Sequence, residues 1–141
     1  MADIEVLADS EVSLDTLEQL FKRAFFNTSR DSDGDLVVQG DGPRVIVLLD
    51  DEKQMVKFLA MYGLKDNAPL QLKHTLVNKM NDDVIFVRFS VPEQRSDMLV
   101  ADYYLPYEGG ISAFQIINAM RLFSRVVPGA IRVCDELDLV E

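Results

Sequence analysis

The sequence predicts an α+β fold, an antiparallel sheet with three helices, and three observations carry that prediction. Apolar residues recur at spacings of three and four along residues 14–25 and 114–123, the period of a helix with one buried stripe. Two β-rich runs, "VIFVRFSV" and "MLVADYYLPY", flank the short polar link "PEQRSD", the pattern of a hairpin. Asp-Gly pairs punctuate the chain around residues 33–42, where a short apolar run stands between turn residues. No internal repeat or low-complexity linker divides the 141 residues, so one domain spanning 1–141 is expected, long enough to bury a core.

The first element is a helix whose stripe is Leu14, Leu17, Phe21, Ala24 and Phe25. Ser13 suits its N-cap, Asp15 the positive end of its dipole, and Lys22 and Arg23 the negative end. The stretch "NTSRDSDGDLVVQGDG" then sets four aspartates between Asp31 and Asp41. A calcium loop needs oxygen ligands at positions 1, 3 and 5, a glycine at 6 and a glutamate at 12. Counting from Ser29 puts Gly40 at position 12, and counting from Asp31 puts Gly42 there, so neither register closes a coordination shell. The stretch is read as turns that punctuate strands at about 35–39 and 44–49, with no metal.

"DDEKQMVKFLAMYGLK" is ambiguous. Met55, Phe58, Leu59 and Tyr62 make a helical stripe, while Val56, Phe58, Ala60 and Tyr62 alternate as a strand. A helix follows from Asn67 to Asn81, with Pro69 in its first turn. After the hairpin, Gly109 and Gly110 break the chain before a last helix. Its expected stripe holds Phe114, Ile117, Met120 and Arg121, with Ile116 and Phe123 close by, and Val126 and Val127 precede Pro128. The acidic tail "CDELDLVE" either extends this helix or frays.

Composition narrows the function. The net charge of −10 divides as −7 over residues 1–43, +1 over 44–95 and −4 over 96–141. Such acidity repels phosphate backbones, so nucleic acid is not expected as a partner, whereas basic protein surfaces are favoured. No apolar run reaches the roughly 18 residues that span a bilayer, and the start lacks the basic residues of a signal peptide. A cytoplasmic protein with no membrane partner is expected. Cys134 and His74 are single representatives of their kinds, so no disulfide or zinc site follows. Cys134 is read as a structural thiol, and His74 as a surface or packing residue on its helix. Phosphate-loop, nucleophile-elbow and H-E-x-x-H motifs are absent, leaving no reason to assign catalytic residues or a cofactor.

Two stretches carry a family resemblance: "VNKMNDDVIFVRFSV", where Asn78 and Asn81 close a helix before a strand, and "ADYYLPYEGGISAFQIINAMRLFSRVV", with Gly109–Gly110 before the last helix. Together they resemble the YbjN-like family of bacterial sensory-transduction regulators over about residues 13–127. That family is similar in fold to type III secretion chaperones, small acidic dimers that hold partner proteins. The resemblance implies the order α-β-β-β-α-β-β-α, which makes Lys53–Tyr62 a strand antiparallel to Arg44–Leu49. It also implies a non-enzymatic regulator or chaperone-like protein. For Asn78, Asn81, Gly109 and Gly110 a structural role is expected, because asparagine and glycine tolerate left-handed backbone at helix ends and turns.

In that arrangement Val45, Val47, Val56, Phe58 and Ala60 share one sheet face, joined by Ile85, Val87, Phe89, Val91, Leu99, Ala101, Tyr103 and Leu105. The other face carries Ile46, Leu48, Lys57, Val84, Arg88, Val100 and Asp102 together with Met55, Leu59, Met61, Phe86, Met98 and Tyr104. Both faces are apolar, unlike a sheet with one face in water. Either the three helices cover both faces, or the second face is a contact surface whose candidates are the last six residues named. The surplus of apolar side chains predicts a homodimer that also binds another protein. Two alternatives stay open: a dedicated secretion chaperone, and a small hydrolase or ligand binder using Asp50, Asp51 and Glu52.

Overall fold

A computed structural model describes residues 5–141; the expected domain bounds of 1–141 include residues 1–4, which lie outside the described residues. A short strand β1 (Val6–Leu7) and a 3-10 turn (Asp9–Glu11) lead into helix α1 (Leu14–Arg23). Ser13 caps α1 by accepting the Thr16 N–H at 3.1 Å. Strands β2 (Asn27–Arg30), β3 (Leu36–Gln39), β4 (Val45–Asp50) and β5 (Met55–Gly63) follow, then helix α2 (Leu70–Asp83). Strands β6 (Arg88–Ser90), β7 (Met98–Pro106) and β8 (Ile111–Ser112) precede helix α3 (Ala113–Cys134). The class is α+β, and the expected three helices and five strands occur in the expected order. Strands β1, β2 and β8 are additions: β1 and β8 pair with each other, and "NTSR", read as part of a turn, forms β2 and pairs along β3 as the sheet's edge.

The main sheet has six strands in the order β2-β3-β4-β5-β7-β6, antiparallel throughout. The ambiguous segment is a strand. Val47 stands opposite Phe58 and Leu49 opposite Val56, so tertiary pairing overrides its local helical preference. The turn before it is capped by Asp50, whose carboxylate accepts the Lys53 N–H at 3.0 Å. Helix α2 carries the chain from β5 to the far edge β6, and β7 returns between them.

All three helices bury their stripes against one sheet face. Leu17, Leu20 and Phe21 of α1, Leu76 and Met80 of α2, and Ile116, Met120, Phe123 and Val127 of α3 join one core with Val45, Val47, Val56, Phe58 and Leu99. Phe58 sits at its centre, with its ring 6.3 Å from Phe21 and 5.9 Å from Phe123.

Several expectations are corrected. Phe25 is not in the α1 stripe: the helix ends at Arg23, Leu20 takes the buried position, and Phe25 is 95% exposed. Phe114 and Arg121 are exposed as well, because the buried stripe of α3 runs through Ile116, Met120, Phe123 and Val127. The helix also continues through Pro128 to Cys134. The tail neither extends it nor frays. Asp135 accepts the Leu139 and Val140 N–H groups at 2.8 and 2.9 Å, folding the tail back so that Val140 bridges Leu64. Cys134 is buried, and burial pushes its thiol up, away from the reactive thiolate.

The aspartate stretch forms a turn. One Asp31 oxygen accepts the Asp33 and Asp35 N–H groups, both at 2.9 Å, and Gly34 takes a φ of 85°. The turn gathers oxygens of Asp31, Asp33 and Asp35 within 4.8 Å of one another.

Candidate functional site: the open face of the sheet

With the helices on one side, alternation along each strand assigns the other side chains to an outer face. One row crosses all six strands: Ser29, Val37, Ile46, Leu59, Asp102 and Arg88 stand opposite one another in turn. On one side of it lie Leu48, Lys57 and Tyr104, and on the other Met61, Val100 and Ser90. Val37 is buried by its neighbours, whereas Ile46, Leu48, Leu59 and Val100 are half-buried and Met61 is 48% exposed. None of these apolar side chains belongs to the core formed with the helices among the described residues.

A charged cluster interrupts the apolar row. Arg88 donates to Asp102 in a two-pronged pair, Nε to Oδ1 at 2.9 Å and Nη2 to Oδ2 at 2.8 Å. Lys57 adds its Nζ at 3.9 Å. The Tyr104 ring lies beside both cations, 5.2 Å from the Lys57 Nζ and 5.7 Å from the Arg88 Cζ. These three side chains leave Asp102 only 3% exposed on a face without a helix. The hydrogen bond and charge of Asp102 raise the Arg88 guanidinium above its ordinary value. The cluster has two cations and one carboxylate, so the face is near neutral on a chain of charge −10.

Of the six expected surface residues, Met55, Leu59, Met61, Met98 and Tyr104 share this outer face by register. Phe86 does not. The strand begins only at Arg88, and a φ of 84° at Phe86 breaks the alternation before it. Its ring stacks on Tyr103 at 4.1 Å, on the helix side, while Ile85 is turned out to 87% exposure. Lys57 and Asp102 make the centre of the site; alternation assigns them to this face, but their packing emerges only with the strand pairing.

The motif asparagines act differently from expectation. Neither has left-handed backbone; both lie within α2. Asn81 clamps the start of β6, donating to the Phe89 carbonyl at 2.8 Å and accepting the Phe89 N–H at 2.9 Å. Asn78 is exposed. Gly109 and Gly110 do take positive φ, 82° and 104°, and a side chain at Gly110 would stand 3.2 Å from the Leu7 carbonyl. Asp50, Asp51 and Glu52 are exposed in the β4–β5 turn. No helix among the described residues is long and apolar enough to cross a membrane.

Comparisons with known proteins agree with this architecture. No curated protein matches the chain. A solved structure described as "Crystal structure of YbjN, a putative transcription regulator from E. coli" superposes with a TM-score of 0.75 at 19% identity, covering 92% of this chain and 96% of that one. At that identity the likeness establishes the fold. The sequence model of the YbjN family, described as "Putative bacterial sensory transduction regulator", matches residues 13–136. With nearly the whole chain inside that match, this protein belongs to the YbjN family.

Proposed function

We propose that this chain is a non-enzymatic, protein-binding regulator of the bacterial cytoplasm that works as a homodimer, its two copies meeting through the outer sheet face. The observation that carries the reading is the group of half-buried or exposed apolar side chains Ile46, Leu48, Leu59, Met61 and Val100, left without a helix in front of it. An antiparallel sheet that ends in water carries polar residues on that side, and a contiguous apolar patch marks a contact surface. Charge favours a second copy as the occupant. The chain is strongly acidic, so most of its surface repels another copy, but this face pairs its carboxylate with two cations. A two-fold contact covers the patch on both copies at once. A family described as regulatory suits a protein that acts by contact.

Methionine oxidation tests this directly. Met55, Met61 and Met98 share the outer face, while Met80 of α2 and Met120 of α3 are buried in the core on the other side of the sheet and serve as internal controls. Oxidation of Met61 should fall as protein concentration rises, with Met80 and Met120 protected throughout. Unchanged oxidation of Met61 at every concentration would contradict the homodimer. Protection that appears only when another protein is added would assign the face to a different partner and also contradict it.

A further inference from the structure

The chain has 14 lysines and arginines for 24 aspartates and glutamates, so a cation without a carboxylate partner stands out. Eight of the cations form ion pairs among the described residues. Of the six that form none with a described residue, three, Arg121, Arg125 and Arg132, border one open cleft of about 590 Å³. Their spacing of i, i+4 and i+11 puts them along one face of α3. The turn at Gly40–Gly42 forms another wall, packed so tightly that a side chain on Gly42 would stand 2.6 Å from the Ser124 carbonyl. Asp41, also at the cleft, makes no ion pair with any of the arginines.

A second observation concerns the remaining wall, the end of α1. There the Phe26 N–H reaches the Phe21 carbonyl and the Phe25 N–H the Lys22 carbonyl, both at 3.0 Å. This is the double bond pattern of a Schellman cap, whose left-handed position glycine normally occupies. Here that position holds Phe25, at a φ of 71° with 95% exposure. The packing contact of the motif is made by Phe26, whose ring lies 5.8 Å from Phe21. The fold therefore has no use for the Phe25 ring: glycine would fit the backbone better, and the ring stands in water beside three arginines.

We propose that this cleft binds a nucleoside polyphosphate, its phosphates on Arg121, Arg125 and Arg132 and its base against Phe25. Arginine forks match phosphate oxygens in two-pronged pairs, and an aromatic face stacks any base. The three arginines start from positions spread over about 16 Å of helix axis at ~1.5 Å per residue, a longer span than a triphosphate, so their long side chains meet it by converging from both ends. The volume lies in the range of small-molecule sites.

Calorimetric titration of the full chain with ATP, tripolyphosphate and adenosine at low salt tests the site. ATP should bind, adenosine should not, and added salt should weaken the binding. Arg121→Glu and Arg125→Glu should each reduce ATP affinity by about tenfold or more without altering the melting temperature. Phe25→Gly should weaken ATP but leave tripolyphosphate unchanged, and should raise the melting temperature because glycine suits the left-handed position. Absence of ATP binding, or binding indifferent to the arginine substitutions, would overturn the proposal. So would capture of polyglutamate that ATP fails to displace, which would point to an acidic protein segment. The dimer reading rests on the opposite side of the sheet and survives any of these results.

Discussion

Asn81 shows how much one side chain of the family motif does. It satisfies both backbone groups of Phe89 and so sets where β6 begins, a role that Asn78, exposed three residues earlier, does not share. Asn81→Ala leaves two backbone groups in need of partners and should cost about 1–3 kcal/mol in urea unfolding, while Asn78→Ala should be close to neutral. The importance of Asn81 was legible in the sequence through the family motif, but its mechanism was not, since its partner lies eight residues on and is brought near only by the β6 pairing. The same holds for Phe25, which reads as helical stripe until the helix ends two residues before it. The turn from Asp31 to Asp35 was legible because its chemistry is local, although the strand just before it was not. One Asp31 oxygen already serves two backbone N–H groups, and position 12 of either register is glycine. Calcium titration should therefore give no heat above dilution, and micromolar binding would reverse that reading.

At the scale of elements, strand β2 is tied to α1 through Glu18. Its carboxylate accepts from Arg30 Nε and Thr28 Oγ1, both at 3.2 Å, with Lys22 at 3.6 Å. Burial alone would raise the Glu18 carboxyl, but the hydrogen bonds from Arg30 and Thr28 and the charges of Lys22 and Arg30 hold it below its ordinary 4.5. A depressed folded value means the contribution is complete above the ordinary value and is lost as pH falls through the lower, folded one. Glu18→Gln should thus lower the urea midpoint at neutral pH and converge with the parent chain in acid. A constant difference across that range would show that the tie is not electrostatic. Nothing in "NTSR" announces a strand, because an edge strand with both neighbouring faces partly in water needs no apolar alternation. Strand β5 was equally compatible with helix, and the family order decided it. In β6–β7 the register was legible from the turn centred near Arg95, which sets Arg88 against Asp102, whereas the break at Phe86 was not.

For the whole molecule, the sequence already showed a sheet apolar on both faces, but only the packing of three helices onto one of them decides which face is left over. That choice depends on contacts far apart in the chain, such as Phe21 and Phe123 meeting on Phe58, and periodicity within one segment does not contain it. The central claim is that the remaining face joins two copies. Added salt should favour association modestly, because it screens the repulsion between chains of charge −10. Light scattering coupled to size-exclusion chromatography at micromolar protein is the most direct test. The account predicts a mass twice the 15.9 kDa of one chain, and a return to 15.9 kDa for Leu59→Lys with its circular dichroism unchanged. A mass of 15.9 kDa for the parent chain at every concentration, or a dimer that survives Leu59→Lys, would contradict it.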